Sequence, residues 1–159
     1  MHDDLQRLKA HLEQLPPRYP ERRAAIVDVM RLLQQKYGYL SDEAVCEAAR
    51  ITGLSATEVE ELATFYSLIY RHPVGRHVLR ICDSVCCAMQ GANEQIEDIC
   101  HRLGVEPGQI ALDGKLTVLP NICLGLCDRA PAALLDGEAI APVSTKTVDA
   151  LLDQLRDES

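Results

Sequence analysis

The chain has 159 residues, 47% of them hydrophobic and 25% charged, with 24 acidic against 16 basic side chains and a net charge of -8. This is enough for one ordinary domain or two small ones around a packed core, and the composition argues against disorder. The acidic balance repels phosphate backbones, which makes nucleic acid a poor partner. No apolar run approaches the roughly 20 residues of a membrane-spanning helix, so direct membrane insertion is not expected.

The start, Met1-His2-Asp3-Asp4, is acidic and carries no apolar stretch of the signal-peptide kind, so a cytoplasmic location is expected. Leu5, Leu8, Leu12 and Leu15 recur at helical spacing, and Pro16-Pro17 ends that stripe. Pro20 suits the first turn of a second helix, with Ile26, Val29, Met30, Leu33 and Tyr37 on its buried face and Gly38 as its C-terminal cap. Ser41 before Asp42 and Glu43 reads as an N-cap for a short helix to about Thr52-Gly53. Ser55-Ala56-Thr57-Glu58 is a capping box that opens a helix to about Tyr70. Pro73-Val74-Gly75 breaks the pattern, which predicts a helical bundle over 1–75 and a second domain over 76–159.

The second half reads differently. His77 to Cys82 is a short strand. Ala92, Ile96, Ile99, Cys100 and Leu103 form a helical stripe closed by Gly104. Ile110 to Leu112 and Leu116 to Leu119 flank Asp113-Gly114, a two-residue hairpin signal, and Asp136-Gly137 repeats the device between Ala132 to Leu135 and Glu138 to Ala141. Ser144 or Thr145 caps a last helix with Val148, Leu151, Leu152 and Leu155 inward. The order predicts an α+β chain: a small mixed sheet carrying helices, preceded by the helical bundle.

Seven cysteines are the anomaly. A reducing compartment disfavours disulfides, and an odd number with tight groupings points to metal or redox chemistry. Cys82, Cys86 and Cys87 follow the first strand of the second half, and Cys123 and Cys127 follow a hairpin. Loops just past strands present side chains to a common site. Thiolates suit iron–sulfur clusters and zinc, and the C-x4-C and C-x3-C spacings leave both open. A thiol–disulfide enzyme would carry C-x-x-C, and no such pair occurs. Leu124 and Leu126 can exclude water, and Gly125 lets backbone amides turn toward sulfur. Asp83 and Asp128 would lower a cluster potential and Arg129 would raise it.

Ala63-Thr64-Phe65-Tyr66-Ser67, Pro73-Val74-Gly75-Arg76-His77, Cys82-Asp83-Ser84-Val85, Leu119-Pro120 and Cys123-Leu124-Gly125-Leu126-Cys127-Asp128 stand in order along the chain. With these stretches the chain resembles the small [2Fe-2S] subunit of the NADH-dehydrogenase arm of respiratory complex I, NADH:quinone oxidoreductase. The resemblance runs from about residue 20 to the end. It implies a helical bundle followed by a thioredoxin-like [2Fe-2S] ferredoxin domain. It implies Cys82, Cys87, Cys123 and Cys127 as ligands of one cluster, each pair on one iron. It implies a partner subunit holding FMN and NADH beside the cluster, a further iron–sulfur subunit, and a place on the cytoplasmic face of the inner membrane within the complex. No catalytic residue and no NADH turnover are expected of this chain alone. The equivalent subunits of soluble NAD-dependent formate dehydrogenases and NAD-linked hydrogenases are the alternative reading. A zinc-stapled scaffold module is the rival from another class. Cys86 departs from the family pattern, which needs no cysteine there.

The remaining candidates read as structural. Cys46 and Cys100 lie on apolar helical faces and are expected in the core, as are Phe65 and Tyr66. His77 and His101 read as strand-edge and helix-surface residues. Pro131 precedes a strand, as the cis-proline of thioredoxin does.

Overall fold

In the computed structural model of the chain, which describes residues 8 and 10–157, residues 10–14 are helical and the helix stops before Pro16. Leu12 and Leu15 of the expected stripe are buried, Leu8 packs beside them, and Leu5 lies outside the described residues. Two compact units part between Pro73 and Val74.

The first unit holds helices α1 (Ile26–Tyr37), α2 (Asp42–Thr52) and α3 (Ala56–Phe65). A 3-10 turn at Arg22–Ala25 precedes α1 and leaves Pro20 outside the helix, in front of the extended residue Glu21. Ile26, Val29, Met30 and Leu33 are buried as their spacing requires, but Tyr37 is exposed in the last turn. Ser41 caps α2 by accepting the Ala44 N–H at 3.3 Å. Both halves of the α3 capping box form: Ser55 Oγ accepts the Glu58 N–H at 3.2 Å, and Glu58 Oε2 accepts the Ser55 N–H at 2.9 Å.

Helix α3 ends five residues short of the expected Tyr70 because tertiary bonds claim the segment that follows. Gln34 of α1 donates to the Leu68 carbonyl at 2.9 Å and accepts the Tyr70 N–H at 2.6 Å. Arg71 pairs with Glu60 and Asp42, each at 2.8 Å. Tyr66 leaves the helix with extended dihedrals, residues 67–68 form a turn closed by the Ile69 N–H on the Tyr66 carbonyl, and Ile69 enters the core. Phe65 is thereby turned outward and is 79% exposed, stacked edge-on against the exposed Tyr66, which corrects the expectation that both are core.

The second unit is a five-stranded mixed sheet in the order β2-β3-β1-β4-β5. The strands are β1 (His77–Cys82), β2 (Ile110–Ala111), β3 (Leu116–Asn121), β4 (Ala133–Leu135) and β5 (Glu138–Ile140). β1 and β3 are parallel and every other pairing is antiparallel. A short helix α4 (Val85–Ala88) and a longer α5 (Ala92–Leu103) connect β1 to β2, and α6 (Thr145–Asp157) closes the chain. Leu79, Ile81, Leu116 and Val118 of the sheet form one core with Ile96 and Ile99 of α5 and Val148, Leu152 and Leu155 of α6. The two long helices are neighbours, joined by the Arg102–Asp149 ion pair at 2.5 Å.

The turn at Asp136-Gly137 is the two-residue hairpin expected, with positive φ at both positions, 53° and 99°. The turn at Asp113-Gly114 is longer: residues 112–115 connect the strands, and the Lys115 N–H reaches the carbonyls of Ala111 and Leu112. Ser144 accepts the Thr147 N–H at 3.3 Å and so caps α6. Among the described residues, no helix is long and apolar enough to cross a membrane.

Candidate metal centre

Parallel pairing of β1 with β3 sets Cys82 opposite Asn121, so both strands leave the sheet at the same end. Loops at the carboxyl ends of adjacent parallel strands form a natural crevice. Asp83 N–H donates to the Asn121 carbonyl at 3.1 Å and Cys82 N–H to the Ala132 carbonyl at 2.9 Å, which holds three segments together at this edge. The Cys123 N–H donates to Ser84 Oγ at 2.9 Å and ties the second cysteine loop directly to the first.

The first loop is not irregular throughout. Ser84 turns the chain into α4, its carbonyl accepting the N–H groups of Cys87 and Ala88 at 2.9 Å each. A helix of four residues has no periodicity to read, so nothing in 83–91 announces it. Its effect is decisive for the thiols: Cys87 is 1% exposed, while its neighbour Cys86 lies on the surface.

The thiols fall in two groups. Cys82 and Cys87 are both buried, and each shifts the titration of the other. Cys123 and Cys127 are exposed, as is Cys86. Among the described residues, no three His, Cys, Asp or Glu side chains form a site for a single metal ion.

Backbone amides are aimed at sulfur. Gly125, at φ +77° where a side chain would be strained, donates its N–H to Cys123 Sγ at 3.4 Å. Burial pushes the Cys82 thiol up, but the N–H groups of Ser84 and Leu124 and the thiol of Cys87 outweigh it and bring Cys82 below its ordinary value. Cys87 is raised, by burial first and then by its bond to Cys82. Cys127 is pushed up to about 11, first by its hydrogen bond with Cys86 and the charge there, then by Cys123. Leu124 and Leu126 are half-buried and pack against the core, so they shield one side of the loop.

Other cysteines and histidines stand apart. Cys100 is buried among apolar side chains, and burial raises its thiol. Cys46 is exposed, which corrects the expected core position; on α2 the inward stripe falls on Ala44, Val45, Ala48 and Ile51 instead. His77 pairs through Nδ1 with Asp136 at 2.6 Å, and His101 is exposed on α5. The Ala130–Pro131 bond is cis, and so is Ala141–Pro142.

A family model described as thioredoxin-like [2Fe-2S] ferredoxin matches residues 12–156. The chain belongs to this family. Among the curated relatives of this thioredoxin-like ferredoxin is an NADH-quinone oxidoreductase subunit of Pseudomonas aeruginosa, 39% identical over 135 residues, which are 85% of this chain and 81% of that protein. The subunit of the same name from Escherichia coli K12 is 38% identical over 138 residues, 87% of this chain and 83% of that one. An NAD+-reducing [NiFe]-hydrogenase in the H2-reduced state superposes with a TM-score of 0.68 at 27% identity, over 82% of this chain and 22% of that chain.

The cofactor expected from the sequence is the one in the family's description. The donor set of this thioredoxin-like ferredoxin fits it: thiols on two loops joined by the Ser84–Cys123 hydrogen bond, with the Gly125 N–H directed at sulfur.

Proposed function

We propose that this chain is the [2Fe-2S] electron-transfer subunit of an NADH:quinone oxidoreductase, with Cys82 and Cys87 on one iron and Cys123 and Cys127 on the other. The observation that carries this reading is the meeting of the two cysteine loops where the parallel strands β1 and β3 end, joined by the Ser84–Cys123 hydrogen bond. Identity of 38–39% to proteins named as subunits of NADH-quinone oxidoreductase supports the choice of complex.

When bound, such a cluster accepts and returns one electron. The chain's own residues set the terms. The Gly125 amide donates to the Cys123 sulfur, and the amides of Ser84 and Leu124 lower the Cys82 thiol, all of which would stabilise added negative charge and raise the potential. Asp83 opposes them, while Asp128 is partly offset by Arg129 at 3.5 Å. Leu124 and Leu126 keep water from one side.

Val85 and Met89, one turn apart, and Ile122 beside Cys123 are large, apolar and exposed. They flank the exposed thiols, and a protein covering them would bring its own redox group close to the cluster. The partner that fits is the subunit carrying FMN and NADH, with a further iron–sulfur subunit in the same assembly on the cytoplasmic face of the inner membrane. In this reading NADH oxidation belongs to the partner, and the purified chain alone does not turn over NADH. The likeness to an NAD+-reducing hydrogenase supports a second reading, the equivalent subunit of a soluble NAD-linked enzyme.

Metal and sulfide analysis of the purified chain tests the cofactor: two irons with two acid-labile sulfides support the cluster, and one zinc refutes it. Affinity purification from the native cell tests the complex. Membrane-arm proteins in the eluate support the quinone-reducing assembly; a nickel- or molybdenum-containing subunit overturns it in favour of the soluble enzyme.

A further inference from the structure

One peptide plane in the second cysteine loop is held at both of its polar atoms. The bond between Ile122 and Cys123 is trans, so its carbonyl and its N–H point to opposite sides. On one side Asn121 Nδ2 donates to the Ile122 carbonyl at 2.5 Å. On the other the Cys123 N–H donates to Ser84 Oγ at 2.9 Å. The Cα of Cys123 lies in the same plane, so the two bonds set where its side chain starts.

Asn121 is placed for this grip. It ends β3 as the register partner of Cys82, so the two side chains leave adjacent strands on one face of the sheet. Its own carbonyl accepts the Asp83 N–H at 3.1 Å, which fastens it to the first loop. Asn121 is 7% exposed and Ile122 is 79% exposed, so the chain leaves the interior at the point that the amide bridges. A buried amide costs free energy unless it is bonded, and this one directs its donor at the loop.

Resting on the assignment of Cys123 as a ligand, we propose that Asn121 is a positioning residue of the metal centre: with Ser84 opposite, it fixes the peptide plane that leads into Cys123 and thereby tunes the cluster's potential. The effect reaches the cluster through sulfur. Cys123 Sγ accepts the Gly125 N–H at 3.4 Å, and that geometry depends on where Cys123 starts. Amide bonds to sulfur stabilise added negative charge, so a loosened plane weakens this one and lowers the potential. Asn121 is uncharged, which separates its effect from those of Asp83, Asp128 and Arg129.

The test compares Asn121→Leu and Asn121→Ser with the wild-type full chain. Leu keeps the volume without the donor, and the Ser hydroxyl is too short to replace the amide. In the metal-free chain, exchange of the Cys123 amide hydrogen, followed by NMR, should speed by about 2–10-fold, because the far end of its plane is freed. In the loaded chain, an EPR-monitored titration should show a lowered potential and shifted g-values. Thr117→Val is the control: Thr117 is buried near the start of the same strand, and its Oγ1 accepts the Gly75 N–H at 2.8 Å. It should lower the unfolding midpoint and leave the Cys123 exchange and the potential at wild-type values. Wild-type exchange, or a wild-type potential in either loaded Asn121 variant, overturns the proposal, as does an equal shift in Thr117→Val. Should neither variant load, the exchange rate alone decides; loss of the fold in both makes Asn121 a residue of the fold and overturns the proposal too. Failure of the ligand assignment would look different: Cys123→Ser would load with wild-type absorption and g-values.

Discussion

Ser84→Ala isolates the contact that joins the two cysteine loops. Ser84 Oγ accepts the Cys123 N–H at 2.9 Å. The backbone of Ser84 remains in place, so α4 and its carbonyl bonds to Cys87 and Ala88 survive the change. The lost side-chain bond is worth about 0.5–1.5 kcal/mol, and the exposed Cys123 N–H can rebind water, which favours the lower half of that range. A loss of about 0.5–1 kcal/mol corresponds to a factor of about 2–5 in an equilibrium. Loop opening limits access to the cluster, so a chelator should strip Ser84→Ala faster by about that factor, followed as decay of the visible absorption. Ser84→Thr keeps the hydroxyl and should stay near the wild-type rate. Release from Ser84→Ala at the wild-type rate, or equal acceleration in Ser84→Thr, would refute the claim that this hydroxyl couples the loops.

Gly75→Ala should destabilise the second unit by about 1–3 kcal/mol in denaturant unfolding, because a Cβ there would lie 2.7 Å from backbone atoms of Leu116, which cannot swing aside. Phe65→Ala should change thermal stability by no more than about 0.5 kcal/mol, since the ring is largely exposed; a loss of several times that would show it packed. The Ser55 N–H and hydroxyl hold the Glu58 carboxyl below the ordinary glutamate range. Its contribution is therefore complete above that range and lost as pH falls through the lowered value, so Glu58→Gln should flatten the acid limb of the stability profile.

Where local rules govern, the sequence was legible. Ser41, Ser55 and Ser144 each cap the helix that follows them, and Asp136-Gly137 makes a tight hairpin because both residues accept positive φ. It was misleading where distant groups compete for the backbone. The pattern of α3 continues past Phe65, but Gln34 binds the Leu68 carbonyl and the Tyr70 N–H, and Arg71 pairs back to Glu60 and Asp42, where the chain has turned out of the helix. Cys46 failed because a side chain near a helical stripe is not bound to face the core when its neighbours fill it, as Ala44, Val45, Ala48 and Ile51 do on α2.

The thiols show the same division at finer scale. Both loops could be placed at strand ends from sequence, yet spacing could not choose between Cys86 and Cys87. Helix α4 supports the proposed choice. Adjacent residues on a helix point about 100° apart, so turning one inward forces the other out. Ser84 sets the phase: with its carbonyl on the Cys87 and Ala88 amides, Cys87 is buried against the core of the sheet and Cys86 is exposed. A serine immediately before Val85-Cys86-Cys87 was thus the one visible sign of that phase, and it is readable only once the turn is known to be helical. The same geometry explains why an extra cysteine is tolerated beside a proposed ligand: Cys86 lies on the exposed side of the turn and leaves Cys87 its place in the core.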